Sequence, residues 1–255
     1  MRVCALASGS KGNSTYIETN TTKILIDIGT TSLYIEKKLR EIGVDPKEIG
    51  AILISHTHKD HVGGLRVFLK KYNPTLFVTK NMLKELDVIT DNYVIIDDTF
   101  NIGDLKVTSI KTSHDAIDSK AYILENNNRS VVYITDTGYI NQKNHKILTN
   151  RNAYIFESNY DVDMLLNSRY PHYLKQRILS DKGHLSNKDA SYYLGKFIDR
   201  NTKTVILAHL SHENNKPDIA KEELLNRLKA ENKKVDNIIV STQKERTELI
   251  EVWLK

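Results

Sequence analysis

Within Ser55-His56-Thr57-His58-Lys59-Asp60-His61, four side chains able to bind a metal ion crowd into one short segment. They follow Ala51-Ile52-Leu53-Ile54, an apolar run that reads as a buried strand. A strand ending in His-x-His-x-Asp-His aims several imidazoles and a carboxylate at one spot. Nitrogen and carboxylate donors of this kind suit a borderline-soft cation such as zinc. The competing reading is a solvated histidine-rich turn, but such a turn has no physical need for this ligand density beside a core strand.

One ion takes about four ligands, so the segment can saturate a single ion or begin two sites. More donors stand where other apolar runs end. His114 follows Val107-Thr108-Ser109-Ile110-Lys111-Thr112-Ser113, Asp136 closes Val131-Val132-Tyr133-Ile134-Thr135, and His209 closes Thr204-Val205-Ile206-Leu207-Ala208. Binding residues commonly sit where a strand leaves the core. A lone His or Asp there is more often a turn or capping residue. Their recurrence behind a dense motif is what marks these three.

The elements that must hold these groups are strands first. Residues 3–6, 15–18 and 23–27 read as strands, the last two around a turn at Asn20. Helical spacing covers 32–42, where Leu33, Ile35, Leu39 and Ile42 offer an apolar face and Gly43 a stop. Beyond the motif the pattern predicts a helix over 62–72, a strand at 76–78, a short helix over 81–86, and strands at 94–96, 105–110, 121–124, 131–134 and 153–156. Helices are expected at 161–166, 170–179, 186–197 and 218–228, strands at 205–207 and 237–240, and a final strand within 248–253. Two sheets with helices outside accommodate this order, an α/β architecture. The chain shows no internal repeat and no Pro/Gly/Ser linker.

The 255 residues suit one large domain or two small ones, with ample material for a core. No apolar stretch is long enough to cross a bilayer, and the first residues are too briefly apolar for a secretory signal. Cys4 is the single cysteine, so no intramolecular disulfide forms. Together these predict a cytoplasmic protein without a membrane partner. The net charge of +5 is compatible with a polyanion such as nucleic acid, although a lysine-rich surface explains it equally well. The lysine pairs Lys37-Lys38, Lys70-Lys71 and Lys233-Lys234 are scattered and form no arm or tail.

Asp27 in Leu25-Ile26-Asp27-Ile28-Gly29, then His56-x-His58-x-Asp60-His61, His114, Asp136 in Thr135-Asp136-Thr137-Gly138 and His209 follow one another in an order that resembles the metallo-β-lactamase superfamily. The resemblance spans nearly the whole chain. It implies a single domain over 1–255, an αββα sandwich with a dinuclear site at one edge. Carried over position by position, His56, His58 and His114 would bind the first metal, Asp60, His61 and His209 the second, and Asp136 would bridge them. Asp27 would orient a ligand from behind. Two divalent ions are implied, zinc first, with manganese or iron as alternatives.

Further blocks narrow the resemblance. The loop Ser8-Gly9-Ser10-Lys11-Gly12-Asn13-Ser14, Ser113-His114-Asp115-Ala116, Glu157-Ser158-Asn159-Tyr160-Asp161, Tyr170-Pro171-His172-Tyr173-Leu174-Lys175-Gln176-Arg177, Gly183-His184-Leu185-Ser186-Asn187 and Ala208-His209-Leu210-Ser211-His212-Glu213-Asn214-Asn215 look like the YycJ/WalJ branch, related to the phosphodiesterases around ribonuclease Z. Tyr160 departs from that pattern, where a His is expected. The branch implies a phosphodiesterase acting on nucleic acid, a DNA exonuclease, with a metal-bridging hydroxide as nucleophile. Asp60 would then be catalytic through the metal, and His184 is the candidate to supply the proton that the departing oxygen needs.

Ser10, Asn13, Lys175, Arg177 and His212 are the candidates for substrate contact. A guanidinium matches phosphate oxygens, and the Gly9/Gly12 loop can offer N–H groups to an anion. A tight supporting loop and a solvated helix face explain them as well. His145 and His172 read as surface residues. Two other readings stay open. The same cradle can hydrolyse a thioester, lactone or other small ester, and it can serve a non-catalytic, metal-stabilised binding or regulatory module. The sequence leaves the oligomeric state open, a homo-oligomer included.

Overall fold

The computed structural model describes residues 1–86 and 90–252. Period-two burial sorts its strands into layers. Ile24, Ile26, Ala51 and Leu53 face one core, and Leu25, Ile52 and Ile54 the opposite one, as successive side chains of a strand must. Strands buried on both faces read as continuous apolar runs, which is why 51–54 and 131–134 carry no polar alternation.

The first sheet is built from β1 (Arg2–Ala7), β2 (Ser14–Glu18), β3 (Lys23–Ile26), β4 (Ala51–Leu53), β5 (Thr75–Val78), β6 (Tyr93–Ile95) and β14 (Ile250–Glu251), in the order β14-β1-β2-β3-β4-β5-β6. The second is built from β7 (Thr99–Ile102), β8 (Leu105–Lys111), β9 (Lys120–Asn126), β10 (Arg129–Ile134), β11 (Ala153–Glu157), β12 (Thr204–Ala208) and β13 (Asn237–Val240), in the order β13-β12-β11-β10-β9-β8-β7. In the first sheet β3 to β6 run parallel. In the second, β10 to β13 do.

Helices cover both outer faces. The first sheet packs Leu25, Ile52 and Leu76 against Ile35 and Leu39 of α1 (Ser32–Glu41), Phe68 of α3 (Leu65–Tyr72) and Met82 of α4 (Lys80–Glu85). The second packs Val132, Tyr154 and Leu207 against Leu148 of α5 (His145–Leu148), Leu194 of α8 (Asn187–Phe197) and Leu224 of α9 (Pro217–Ala230). The inner faces close on each other through Val3, Ile17, Leu53, Val107, Tyr133 and Ile155. This is the αββα sandwich of the metallo-β-lactamase fold. The remaining short helices are α2 (Lys59–Val62), α6 (Val162–Asn167) and α7 (His172–Leu179).

Several local expectations are corrected. The helix expected over 62–72 is split into α2 and α3 at Gly63-Gly64. A Cβ at 64 would lie 2.1 Å from the Thr30 carbonyl oxygen, so the chain turns where another loop touches its backbone. β7 is polar and half-exposed, and its apolar pattern is too weak to read. The last strand contracts to Ile250–Glu251, and Trp253 lies outside the described residues. His145 is no solvated surface residue, for its ring meets the Phe197 ring edge-on at 5.2 Å. Cys4 is fully buried, and its thiol donates to the Thr247 carbonyl at 3.2 Å. Burial pushes that thiol up to about 11. Among the described residues no helix is long and apolar enough to cross a membrane.

Candidate metal centre

The carboxyl ends of the parallel strands of both sheets emerge at the same edge of the sandwich, and the chemistry-bearing residues sit on that edge. Asp27 follows β3, Ser55 and His56 come shortly after β4, and His61 lies on α2. From the second sheet come Asp136 just beyond β10, Glu157 as the last residue of β11, and His209 directly after β12. Register explains the convergence, since Phe156 pairs with both Ile134 and Leu207 and so levels the three strand ends. Asp27, Asp136 and His209 take left-handed backbone, with φ of 62°, 55° and 57°. Such a conformation costs a non-glycine residue about 1–3 kcal/mol and persists where the surroundings enforce it, typically at functional sites.

Backbone hydrogen bonds lace the motif to two neighbouring loops. Ile28 N donates to the His61 carbonyl at 2.8 Å, Asn13 N to the Asp60 carbonyl at 2.8 Å and Gly29 N to the Asn13 carbonyl at 2.8 Å. The crossing is so close that a Cβ on Gly29 would fall 1.6 Å from the Asp60 carbonyl oxygen. That position accepts no side chain.

Each inward histidine is held by one nitrogen and offers the other. His61 Nδ1 donates to Asp27 Oδ2 at 2.7 Å, and its Nε2 lies 3.1 Å from Asp136 Oδ2. His56 Nδ1 is 3.1 Å from Ser55 Oγ, and its Nε2 has no partner. His114 Nδ1 donates to the Gly183 carbonyl at 3.2 Å, while its Nε2 lies 3.3 Å from His58 Nδ1. His209 Nδ1 donates to Glu157 Oε1 at 3.1 Å, and its Nε2 stands 3.5 Å from Asp60 Oδ2. Asp27 anchors the base of this array by accepting from Ser55 N and Oγ at 2.7 and 2.6 Å and from the Tyr133 hydroxyl at 3.1 Å. Such outer partners fix which imidazole nitrogen can bind a metal.

The donor atoms fall into overlapping groups of metal-site size. His56, His58 and His114 form one, His56, His61 and Asp136 a second, and Asp60, His61 and His209 a third, with donor atoms inside each group within 4.8 Å of one another. A fourth group, Asp136, Glu157, His184 and His209, differs in kind. There Glu157 Oε1 accepts from His184 Nδ1 at 2.7 Å and from His209 Nδ1 at 3.1 Å, so those atoms are already satisfied. Of the buried atoms that form no hydrogen bond among the described residues, three stand here: His56 Nε2, Asp136 Oδ2, which faces His61 Nε2 at 3.1 Å, and His209 Nε2, which faces Asp60 Oδ2 at 3.5 Å. All three belong to the overlapping groups. Buried polar atoms are rarely left so, and a cation satisfies them together.

Titration behaviour follows the same field. Burial drives His56 well below the ordinary histidine range, and neighbouring His61 adds to that. Burial also opposes protonation of His61, but Asp136 and Asp27 outweigh it and lift the group to about 10. At Asp136 burial favours the neutral acid, yet His209, His61 and His56 hold the carboxyl well below its usual range. Glu157 is likewise lowered against its burial by His184 and His209. The centre thus draws positive charge inward, and protons and cations compete for it.

The remaining candidates separate. Ser10, Asp60, Arg177, His184 and His209 line a cavity of about 250 Å³ over the donor groups. Arg177 there makes two hydrogen bonds to Asp115, at 2.6 and 3.1 Å. Asn13 is buried instead of facing substrate. Its side chain is spent on Gly9 and on the Asp60 carbonyl, and it touches His61 Nε2 at 3.0 Å. Lys175 is also turned from the cavity, with its ammonium donating to the carbonyls of Leu166 and Ser168 at 2.7 and 2.8 Å. His212 is exposed and lies further along the same face. Glu157 is the residue that sequence reasoning left without a role. It closes an apolar strand just as Asp136 and His209 do, so the strand-end rule applies to it equally.

Comparison with known proteins gives the family and the fold. The profile of the metallo-beta-lactamase superfamily matches residues 7–86. The chain is 39% identical over 223 residues to exodeoxyribonuclease YycJ of Bacillus anthracis, covering 85% of this chain and 84% of the relative. It is 37% identical over 232 residues to exodeoxyribonuclease WalJ of Streptococcus pneumoniae, covering 88% and 86%. Among solved structures, the metallo-beta-lactamase fold protein YhfI of Bacillus subtilis superposes with a TM-score of 0.74 at 17% identity, covering 96% of this chain and 98% of that one, which speaks to the fold alone.

Proposed function

Since the chain belongs to the metallo-β-lactamase superfamily, in the branch of YycJ and WalJ, and is thereby a metal-dependent hydrolase, we propose that it is a DNA exonuclease working with two divalent cations. The observation that carries the reading is the trio of buried, unpartnered atoms on His56, Asp136 and His209. His56, His58 and His114 would hold one ion, Asp60, His61 and His209 the other, and Asp136 would reach both. Four carboxylates, Asp27, Asp60, Asp136 and Glu157, stand among the imidazoles, a formal charge that two divalent cations balance. Zinc suits the mixed nitrogen and carboxylate donors, and manganese or iron also fits.

When bound, such ions bring a water toward ionisation near neutral pH and neutralise charge building on a phosphoryl oxygen. The chain's own groups do the rest. Asp27 fixes the His61 ring, and Glu157 fixes His209 and His184 at once. With Nδ1–H donated to Glu157, a protonated His184 carries its second proton on Nε2 beside the cavity. That proton goes to the oxygen leaving phosphorus, and solvent restores it. Asp60 acts as a ligand at the mouth of the centre.

End-labelled single-stranded and duplex DNA, incubated with zinc or manganese, tests the reading beside an Asp60→Ala variant. Wild-type protein is expected to shorten the DNA and the variant to leave it intact. Wild-type protein that leaves DNA whole with every metal removes the nuclease reading. Faster turnover of thioesters or lactones than of bis-p-nitrophenyl phosphate replaces it with small-ester hydrolysis.

A further inference from the structure

The cavity over the donor groups does not end at the centre. It shares Ser10 and Asp60 with a second hollow of about 430 Å³, whose walls include Lys11, Lys59, Thr30 and Thr31. That hollow shares Lys11 and Thr30 with a third, of about 270 Å³, bordered by Tyr34, His212 and Lys244. The three share lining residues and form one trough that starts at the centre and leads away from it.

Its chemistry is uniform. Lys11, Lys59 and Lys244 are exposed, and none is paired with a carboxylate among the described residues. Among the described residues the acids that line the three hollows are Asp60 and Asp136, both of which belong to the centre. The nearby acids are engaged elsewhere, Glu245 by Lys38 at 3.1 Å, and Glu41 by Lys38 and Arg246 at 3.2 Å each. Gly12 and Gly29 contribute to the walls near these lysines. Tyr34 and His212 bring flat rings to the far end, where the Tyr34 hydroxyl donates to the Lys244 carbonyl at 3.0 Å.

A small ester or a mononucleotide fills only the first hollow. Unpaired cations spaced along an open channel, with rings beyond them, match a chain of phosphates carrying unstacked bases. We propose that this trough holds the strand running away from the scissile phosphate, so that the cut strand of a polynucleotide is gripped through several phosphates beyond the cut. This rests on the nuclease reading for the cut itself, but not for the grip.

The test compares wild-type protein with Lys11→Gln/Lys244→Gln. KM is measured for a dinucleotide and for end-labelled strands of about ten residues, at several salt concentrations. Wild-type protein is expected to show a KM at least about tenfold lower for the longer strand, and in the variant that ratio collapses toward one. Loss of two phosphate contacts should also flatten the plot of log KM against log salt by about 1.4. Melting temperature and metal content of the variant check that the fold is intact. Unchanged ratio and slope overturn the trough. If wild-type protein cuts no strand, anisotropy of a labelled strand in the presence of a chelator decides separately. A salt slope lowered in the variant then keeps the trough and discards the reaction, and equal slopes discard both.

Discussion

The segment His56 to His61 and the trio Asp136, Glu157 and His209 contribute to one centre in opposite ways. The first is local, a turn and one short helix whose donors are neighbours in sequence. The second is assembled from three parallel strands, and two of its members sit in left-handed backbone. His58 of the local segment is a third exposed, whereas Asp136 is almost wholly buried. The local segment owes its geometry to a few residues. The dispersed trio owes it to sheet register. Damage to the two regions should therefore differ in size and in kind.

The largest effect is expected at Asp136. Asp136→Ala removes the carboxylate that faces both donor groups and should cost more than the roughly hundredfold typical of changes behind the ligands. His58→Ala should cost less, because that ring is a third exposed and its Nε2 lies 3.9 Å from Asp115. Metal content and DNA digestion, measured side by side, check the order. Equal losses would erase the distinction between the regions.

Next comes Glu157→Gln, which leaves His184 and His209 without their shared carboxylate. A loss of about 10- to 100-fold in metal affinity or rate is expected. The acidic limb of the pH profile should move with it, since the carboxylate pairs with both imidazoles. Glu157→Asp, which keeps the charge, should recover part of the rate. A simple fall in melting temperature with an unmoved profile would reduce Glu157 to a structural residue.

Gly29→Ala sharpens the comparison from the local side. Its Cβ would collide with the Asp60 carbonyl, so the loops around the motif must separate. A destabilisation of more than about 2 kcal/mol in thermal or urea unfolding is expected. An unshifted midpoint would mean that the crossing is looser than its geometry.

The smallest effect lies outside both regions. Glu36 is buried on α1, where burial opposes its ionisation but Lys71 and Ser32 hold its pKa below the usual value. A lowered folded pKa contributes stability above the unfolded value of about 4.3, lost as pH falls through the folded one. Glu36→Gln should flatten acid unfolding below that pH, leaving metal content at neutral pH as in wild type. An unchanged acid limb would assign the sensitivity to the centre instead.

These regions also differ in how far sequence alone reveals them. The motif announces itself because its donors are adjacent. Asp136 and His209 are visible only as polar ends of apolar runs, and Glu157 was equally visible yet passed over, since a strand-end Glu is common. Asn13 and Lys175 looked like substrate contacts because loops and helices display polar side chains. Their hydrogen bonds to Asp60 and to the Leu166 and Ser168 carbonyls depend on neighbours that only the folded chain brings near. The break at Gly63-Gly64 was hidden for the same reason, as the Thr30 carbonyl that forces it lies on another loop. Layering was the most legible feature, since runs such as 23–26 and 131–134 need protein on both sides.

The split origin of the donors sets an order of events during synthesis. The growing chain exposes His56 to His61 while the strands bearing Asp136 and His209 are still unmade. At that stage only part of the donor cluster exists. Competence arrives only when the second half docks, so hydrolytic power is withheld from every unfinished copy.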